Sequence, residues 1–67
     1  MLQLNFMSLV PHGRQPFSIR CVRFMFWPSR DNTIPTIECV QKTATIWLSG
    51  QDFAGMSFEV TEEPDGP

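Results

Sequence analysis

Basic and aromatic residues alternate through one short stretch of this chain. The stretch reads Arg20-Cys21-Val22-Arg23-Phe24-Met25-Phe26-Trp27. Guanidinium groups bind phosphates and aromatic rings stack on bases, so this combination on a strand is what a platform for single-stranded nucleic acid requires. We therefore predict nucleic-acid (RNA or DNA) binding by four arginines and three rings of the first half: Arg14, Arg20, Arg23, Arg30, Phe24, Phe26 and Trp27.

The same residues have a purely structural interpretation. A chain of 67 residues needs most of its six Phe and two Trp side chains inside. Phe24, Phe26 and Trp27 would then be core, and the arginines would be solubilising charge on an exposed face. The strand register helps to distinguish the binding interpretation from the structural one. Arg20 shares a face with Phe24 and Phe26 unless a bulge intervenes.

Charge is distributed unevenly along the chain, although the net charge is only −2. Residues 1–37 carry four arginines and one aspartate, whereas residues 38–67 carry one lysine and six acidic residues. A basic first half favours a basic binding face. The acidic second half favours an alternative, a protein-interaction module such as a small phage-type inhibitor or accessory protein. Such a module would steer a basic partner with Glu59, Glu62 and Glu63.

Signals for catalysis and metal binding are weak. The single histidine, His12, lies in a Pro/Gly loop two residues before Arg14, and an RNA-cleaving site uses this pair as base and phosphate clamp. A lone histidine in a loop is more often an ordinary surface residue, and no phosphate-binding glycine loop, nucleophile elbow or HExxH helix accompanies it. Two cysteines and one histidine are too few for a zinc site. The sequence predicts a non-enzymatic binding domain with no catalytic residues, cofactor or metal.

The alternation of apolar and polar residues predicts the strands that position the candidate binding residues. Alternation and β-branched or aromatic runs predict strands at residues 2–6, 17–27, 34–40, 43–48 and 56–61. The predicted fold is mostly β: a single small antiparallel domain of four or five strands over residues 1–61. It has at most one short helical turn, between Gly50 and Gly55. Residues 62–67 are predicted to be an acidic, disordered Pro/Gly tail.

The longest strand candidate, residues 17–27, changes phase at its middle. A β-bulge near Cys21 and Val22 would restore one apolar face, and burial on both sides explains the pattern equally well. We also predict that the strands at 43–48 and 56–61 pair. Trp47 and Phe58 would then meet in one core cluster.

A chain of this length has little core, since it buries only about 60% of the surface of its unfolded form. We therefore predict a further source of stability, a homodimer or a complex with a partner protein. Cys21 and Cys39 lie in apolar strand-like runs, which favours buried free thiols over a disulfide. No targeting signal or apolar run of membrane-spanning length is visible, so the predicted location is the cytoplasm, without a membrane partner.

Five short motifs, two of them single residues, occur in a particular order between residues 30 and 60. They are Pro35-Thr36-Ile37, Trp47-Leu48, Phe53, Gly55 and Phe58-Glu59-Val60. In this order they resemble the SymE-type toxin family, which is built on the AbrB-like swapped-hairpin fold, although the spacing between Ile37 and Trp47 is longer here. The resemblance implies a domain-swapped dimer that acts on nucleic acid, through RNA-directed toxicity or DNA binding.

Overall fold

The computed structural model describes residues 1–28 and 34–63, and these form six β-strands and no helix. The strands are β1 (Leu2–Ser8), β2 (Phe17–Cys21), β3 (Arg23–Trp27), β4 (Thr36–Val40), β5 (Thr45–Ser49) and β6 (Met56–Glu62). Every pairing is antiparallel, with the order β2-β1-β6 in the first sheet and β3-β4-β5 in the second. The predicted mostly β, antiparallel fold is confirmed, but the predicted number of strands, four or five, is too low.

The additional strand comes from residues 17–27, which were predicted as one strand. The chain leaves strand geometry at Val22, whose backbone N–H donates to the carbonyl oxygen of Val40 at 2.7 Å. β2 belongs to the first sheet and β3 to the second. The phase change therefore reflects a change of sheet, because each sheet turns its own apolar side inward, and neither a bulge nor two-sided burial is needed.

The core lies between the two sheets. Its buried side chains are Leu4, Phe6, Cys21, Ile37, Cys39, Phe53 and Met56. The ring of Phe6 stacks on that of Phe17 with centroids 4.5 Å apart, and it contacts Phe53 and Phe58 at 6.0 and 5.4 Å. Burying a side chain of this size contributes about 1.5–3 kcal/mol.

The predicted meeting of Trp47 and Phe58 is wrong. β5 pairs with β4 and β6 pairs with β1, so the two residues lie in different sheets. Phe58 is half-buried and lies edge-on to Phe24 and Phe26, with centroids 6.4 and 5.6 Å apart. Trp47, in contrast, is 57% exposed. Only Phe58 has the core position that was expected.

Tight turns connect β5 to β6 and bring Phe53 into the core. The carboxylate of Asp52 accepts hydrogen bonds from the backbone N–H and the hydroxyl of Ser49, at 2.7 and 3.2 Å. The N–H of Met56 donates to the carbonyl oxygen of Phe53 at 3.1 Å. Gly55 has a φ of 73°, which other residues adopt at a cost. The connection contains turns and no helical turn.

The last strand extends one residue beyond the predicted end of the domain at residue 61. Glu62 is the last residue of β6, and the N–H of Glu63 donates to the carbonyl oxygen of Met1 at 2.8 Å. Residues 64–67, the remainder of the predicted tail, lie outside the described residues. In the two described ranges, no helix is long and apolar enough to cross a membrane.

Candidate functional site

The second sheet turns one side away from the core. Residues directly opposite one another on paired strands share a side of the sheet. The pairing gives three rows on the outer side: Arg23–Val40–Thr45, Met25–Glu38–Trp47 and Trp27–Thr36–Ser49. We call these nine residues the tryptophan face. The intervening residues of β4, Ile37 and Cys39, are completely buried, which fixes the direction of the core.

Two tryptophans dominate this face. Trp27 on β3 and Trp47 on β5 lean towards each other across β4, with ring centroids 6.1 Å apart and ring planes 17° from parallel. Their side chains are 43% and 57% exposed, and Met25 beside them is 51% exposed. Exposed apolar patches are common where a protein contacts a ligand or partner, and Trp, Met and Arg are enriched at such surfaces.

The charged residues of the tryptophan face are one cation and one anion. Arg23 is exposed at the end of the face, and Glu38 is half-buried in the row between Met25 and Trp47. The face therefore combines rings with balanced charge. It can stack planar groups, and it offers one guanidinium group to an anion.

The outer side of the first sheet is different. Its residues are Gln3, Asn5, Met7, Ser18, Arg20, Ser57, Glu59 and Thr61, which we call the polar face. The Asn5 side chain joins all three strands: its Nδ2 donates to Thr61 Oγ1 at 3.2 Å, and its Oδ1 accepts from Ser18 Oγ at 2.8 Å. Gln3 Nε2 also donates to this Oδ1, at 2.9 Å. Hydrogen bonds between side chains thus connect the three strands of the polar face.

The predicted aromatic residues divide between the two sides of β3. Trp27 lies on the tryptophan face together with Arg23, as a stacking platform requires. Phe24 and Phe26 lie on the inner side, where both rings contact Phe58. Phe24 packs against the core, whereas Phe26 is 41% exposed in spite of its contact with Phe58.

The predicted arginines do not gather in one cluster. Arg20 lies on the polar face, with its Nε 3.4 Å from a carboxylate oxygen of Glu63. Arg14 lies in the loop between β1 and β2 and donates to the carbonyl oxygen of Gln51 at 3.1 Å. Arg30 lies outside the described residues. Among the described arginines, Arg23 alone shares a face with the tryptophans.

Sequence reasoning missed Trp47 and Met25 as site residues. Trp47 was assigned to the core because the strands at 43–48 and 56–61 were expected to pair and bring it next to Phe58. Alternation in β5 places Trp47 opposite Ile46 and Leu48, and the structure shows that those two residues pack against the core. Once those two residues are inside, Trp47 must be outside.

No metal or imidazole site competes with this face in the described ranges. No group of three or more His, Cys, Asp or Glu residues there is close enough to hold a metal ion. His12 is exposed in the loop between β1 and β2 and has a φ of 58°. The absence of a catalytic residue stays a prediction.

No protein-family model, no curated protein and no solved structure matches this chain. The resemblance to the SymE-type family therefore stays a prediction. The motifs on which this resemblance rests are divided between the two sheets. Pro35-Thr36-Ile37 and Trp47-Leu48 lie at the second sheet, and Phe58-Glu59-Val60 lies in the first.

Proposed function

We propose that this chain is a small non-enzymatic domain that binds single-stranded nucleic acid on the tryptophan face. The observation that carries the proposal is the pair of exposed rings of Trp27 and Trp47 on one side of a sheet. Aromatic side chains in this position form platforms for unpaired bases, and each stacked base contributes about 1–3 kcal/mol. The resemblance to the SymE-type family implies the same class of ligand.

Arg23 supplies the phosphate contact in this proposal. It lies four residues before Trp27 on the same strand and the same face, which corresponds to about 13 Å along β3. A single strand that runs along β3 can therefore stack on the tryptophans and reach the guanidinium group with its backbone. Phe24 and Phe26 contribute indirectly, because their contacts with Phe58 hold β3 in place.

A protein-interaction module is the second candidate, and the position of Glu38 favours it. A carboxylate in the row of Trp47 repels phosphates, whereas Trp, Met and Arg with balanced charge suit a protein interface. A second copy of the chain is one such partner, since Arg23 of each copy can face Glu38 of the other. Acidic residues from the second half, such as Glu59, would steer a basic partner.

Intrinsic fluorescence tests the first candidate directly, because Trp27 and Trp47 are the only tryptophans in the chain. We expect single-stranded RNA and DNA oligonucleotides to quench this fluorescence and duplexes to quench it much less. The affinity should fall with salt, because phosphate binding releases counterions. Absence of quenching and of any binding at low salt would refute nucleic-acid binding.

Substitutions sharpen the test. Trp27→Thr and Arg23→Gln should each weaken binding, whereas Met7→Thr removes an exposed apolar side chain from the polar face and should leave it unchanged. Glu38→Gln separates the two candidates. It should strengthen binding of nucleic acid by removing a repulsive charge, and it should weaken association with a protein that pairs with this carboxylate.

A further inference from the structure

Two thiols meet between the sheets. Cys21 ends β2 in the first sheet and Cys39 lies in β4 of the second, and their exposures are 1% and 0%. Both cysteines are free. The Sγ of Cys39 donates to the carbonyl oxygen of Arg20, the residue before Cys21, at 3.5 Å, which places the two cysteines next to each other.

The surrounding contacts hold this meeting point together. The N–H of Val22 donates to the carbonyl oxygen of Val40 at 2.7 Å, and Gln41 Nε2 donates to the carbonyl oxygen of Arg20 at 2.9 Å. The residues that flank one cysteine are thus bonded to those that flank the other. The two thiols cannot separate unless these bonds break.

We propose that Cys21 and Cys39 are a latent oxidation site, at which a low-molecular-weight disulfide such as oxidised glutathione generates a disulfide between the two sheets. One protein thiolate attacks a sulfur of oxidised glutathione, which forms a mixed disulfide and releases one glutathione thiolate. The other protein thiolate attacks the protein sulfur of the mixed disulfide and releases the second glutathione. The two thiol protons pass to the released thiolates, so the protein is oxidised by two electrons and oxidised glutathione is reduced.

Burial controls how fast this site reacts. Desolvation, followed by the contact with the Cys21 thiol, raises the pKa of Cys39 from 9.0 to about 12. Because the thiolate is the attacking form, Cys39 is a poor nucleophile at neutral pH. Oxidation therefore needs a local opening of the sheets, and it accelerates as the pH rises or as the fold is loosened by denaturant.

The cross-link would join β2 to β4 and close the chain segment between them. A loop of this length restricts the unfolded chain strongly, so we expect the oxidised protein to melt on the order of 10 °C higher than the reduced protein. Reduction should reverse the increase. This property is independent of what binds the tryptophan face.

Incubation of the full chain with oxidised glutathione at mildly alkaline pH tests the proposal. Intact mass should fall by two hydrogen atoms, without a glutathione adduct. Trypsin cleaves beside Arg20, Arg23, Arg30 and Lys42, so digestion should yield residues 21–23 linked to residues 31–42. The wild-type protein alone provides this readout.

Single-cysteine variants provide the control. Cys21→Ala and Cys39→Ala should stop at the mixed disulfide, with no increase in melting temperature. Wild-type protein that retains glutathione, forms intermolecular dimers or stays reduced in denaturant near its unfolding midpoint would overturn the proposal. A linked species that melts no higher than the reduced protein would overturn the stabilising cross-link.

Discussion

The two sheets of this protein have similar inner sides and opposite outer sides. Both turn Leu, Ile, Phe and Cys side chains towards a common core. Outside, the polar face ties its three strands together through Asn5, whereas the tryptophan face exposes two stacked rings and Met25. The inner sides are similar because each sheet must bury its apolar side chains in the core. The outer sides do not face the core, so this requirement does not explain why they differ.

That difference is the reason why we place the proposed binding surface on the second sheet. The outer side of the first sheet has no tryptophan: amides, hydroxyls and two charged side chains lie there beside one exposed apolar residue, Met7. Exposed apolar patches reduce solubility and are retained where they contact a ligand or partner. Trp27 and Trp47, the two largest exposed side chains of the second sheet, are therefore the residues on which the proposed binding depends.

The comparison between the two outer sides depends on the strand register. The variant with the largest expected effect on the free energy of unfolding tests that register. Ile37 is completely buried in β4 and Glu38 beside it lies on the tryptophan face. Ile37→Ala should lower the free energy of unfolding by about 2–5 kcal/mol, because it leaves a cavity in the core. Glu38→Ala should change it by less than about 0.5 kcal/mol. Urea unfolding measures both.

Equal losses from these two variants would break the comparison. A shift of one residue in register moves every side chain to the other side of the sheet. The tryptophans would then point inward and the assignment of the two outer faces would be wrong.

A smaller change in the free energy of unfolding tests whether the hydrogen bonds of Asn5 stabilise the polar face. Asn5→Ala removes the group that Ser18 donates to and the donor that Thr61 accepts from. We expect a loss of about 1 kcal/mol in the free energy of unfolding, since a hydrogen bond contributes about 0.5–1.5 kcal/mol. Met7→Thr on the same face is the matched control and should be nearly neutral. If both variants are neutral, water replaces the network and these hydrogen bonds do not stabilise the polar face.

The sequence predicted the strands of the first sheet well and the division into sheets poorly. Clean alternation located β1 and β6 to within two residues at each end, because one side of each strand is polar. The break at Val22 carries no Pro or Gly, so nothing local marks it. It is fixed by the hydrogen bond to Val40, eighteen positions further along the chain, which no short window detects.

The candidate site was predicted in part for a related reason. Period-2 alternation tells which residues share a side, but it does not tell which side is inward when both are apolar. β3 and β5 are such strands, with Phe24 and Phe26 opposed to Trp27, and Ile46 opposed to Trp47. Arg20 and Arg23 are close in sequence, which suggested that they share one binding face. They lie in different sheets, because the chain passes from one sheet to the other at Val22.

The smallest expected effect decides whether the tryptophan pair is structural. A double-mutant cycle with Trp27→Thr and Trp47→Thr measures the coupling free energy between the rings, and Thr keeps the β-propensity of both strands. Aromatic pairs contribute about 0.5–1.5 kcal/mol, and we expect about 0.5 kcal/mol here because both tryptophans are only about half-buried. Unfolding is followed by far-UV circular dichroism, since the double variant has no tryptophan.

The pair formed by Phe6 and Phe17 is the matched control for this cycle. Their rings are stacked with centroids 4.5 Å apart at the core, so substitution of both by Leu should give a larger coupling than the tryptophans. A tryptophan coupling as large as that of the phenylalanines would mean that the rings hold β3 to β5 and serve the fold. A small coupling means that the fold gains little from two large exposed rings held 6.1 Å apart. That result would leave the rings free to contact a ligand, as the proposed function requires.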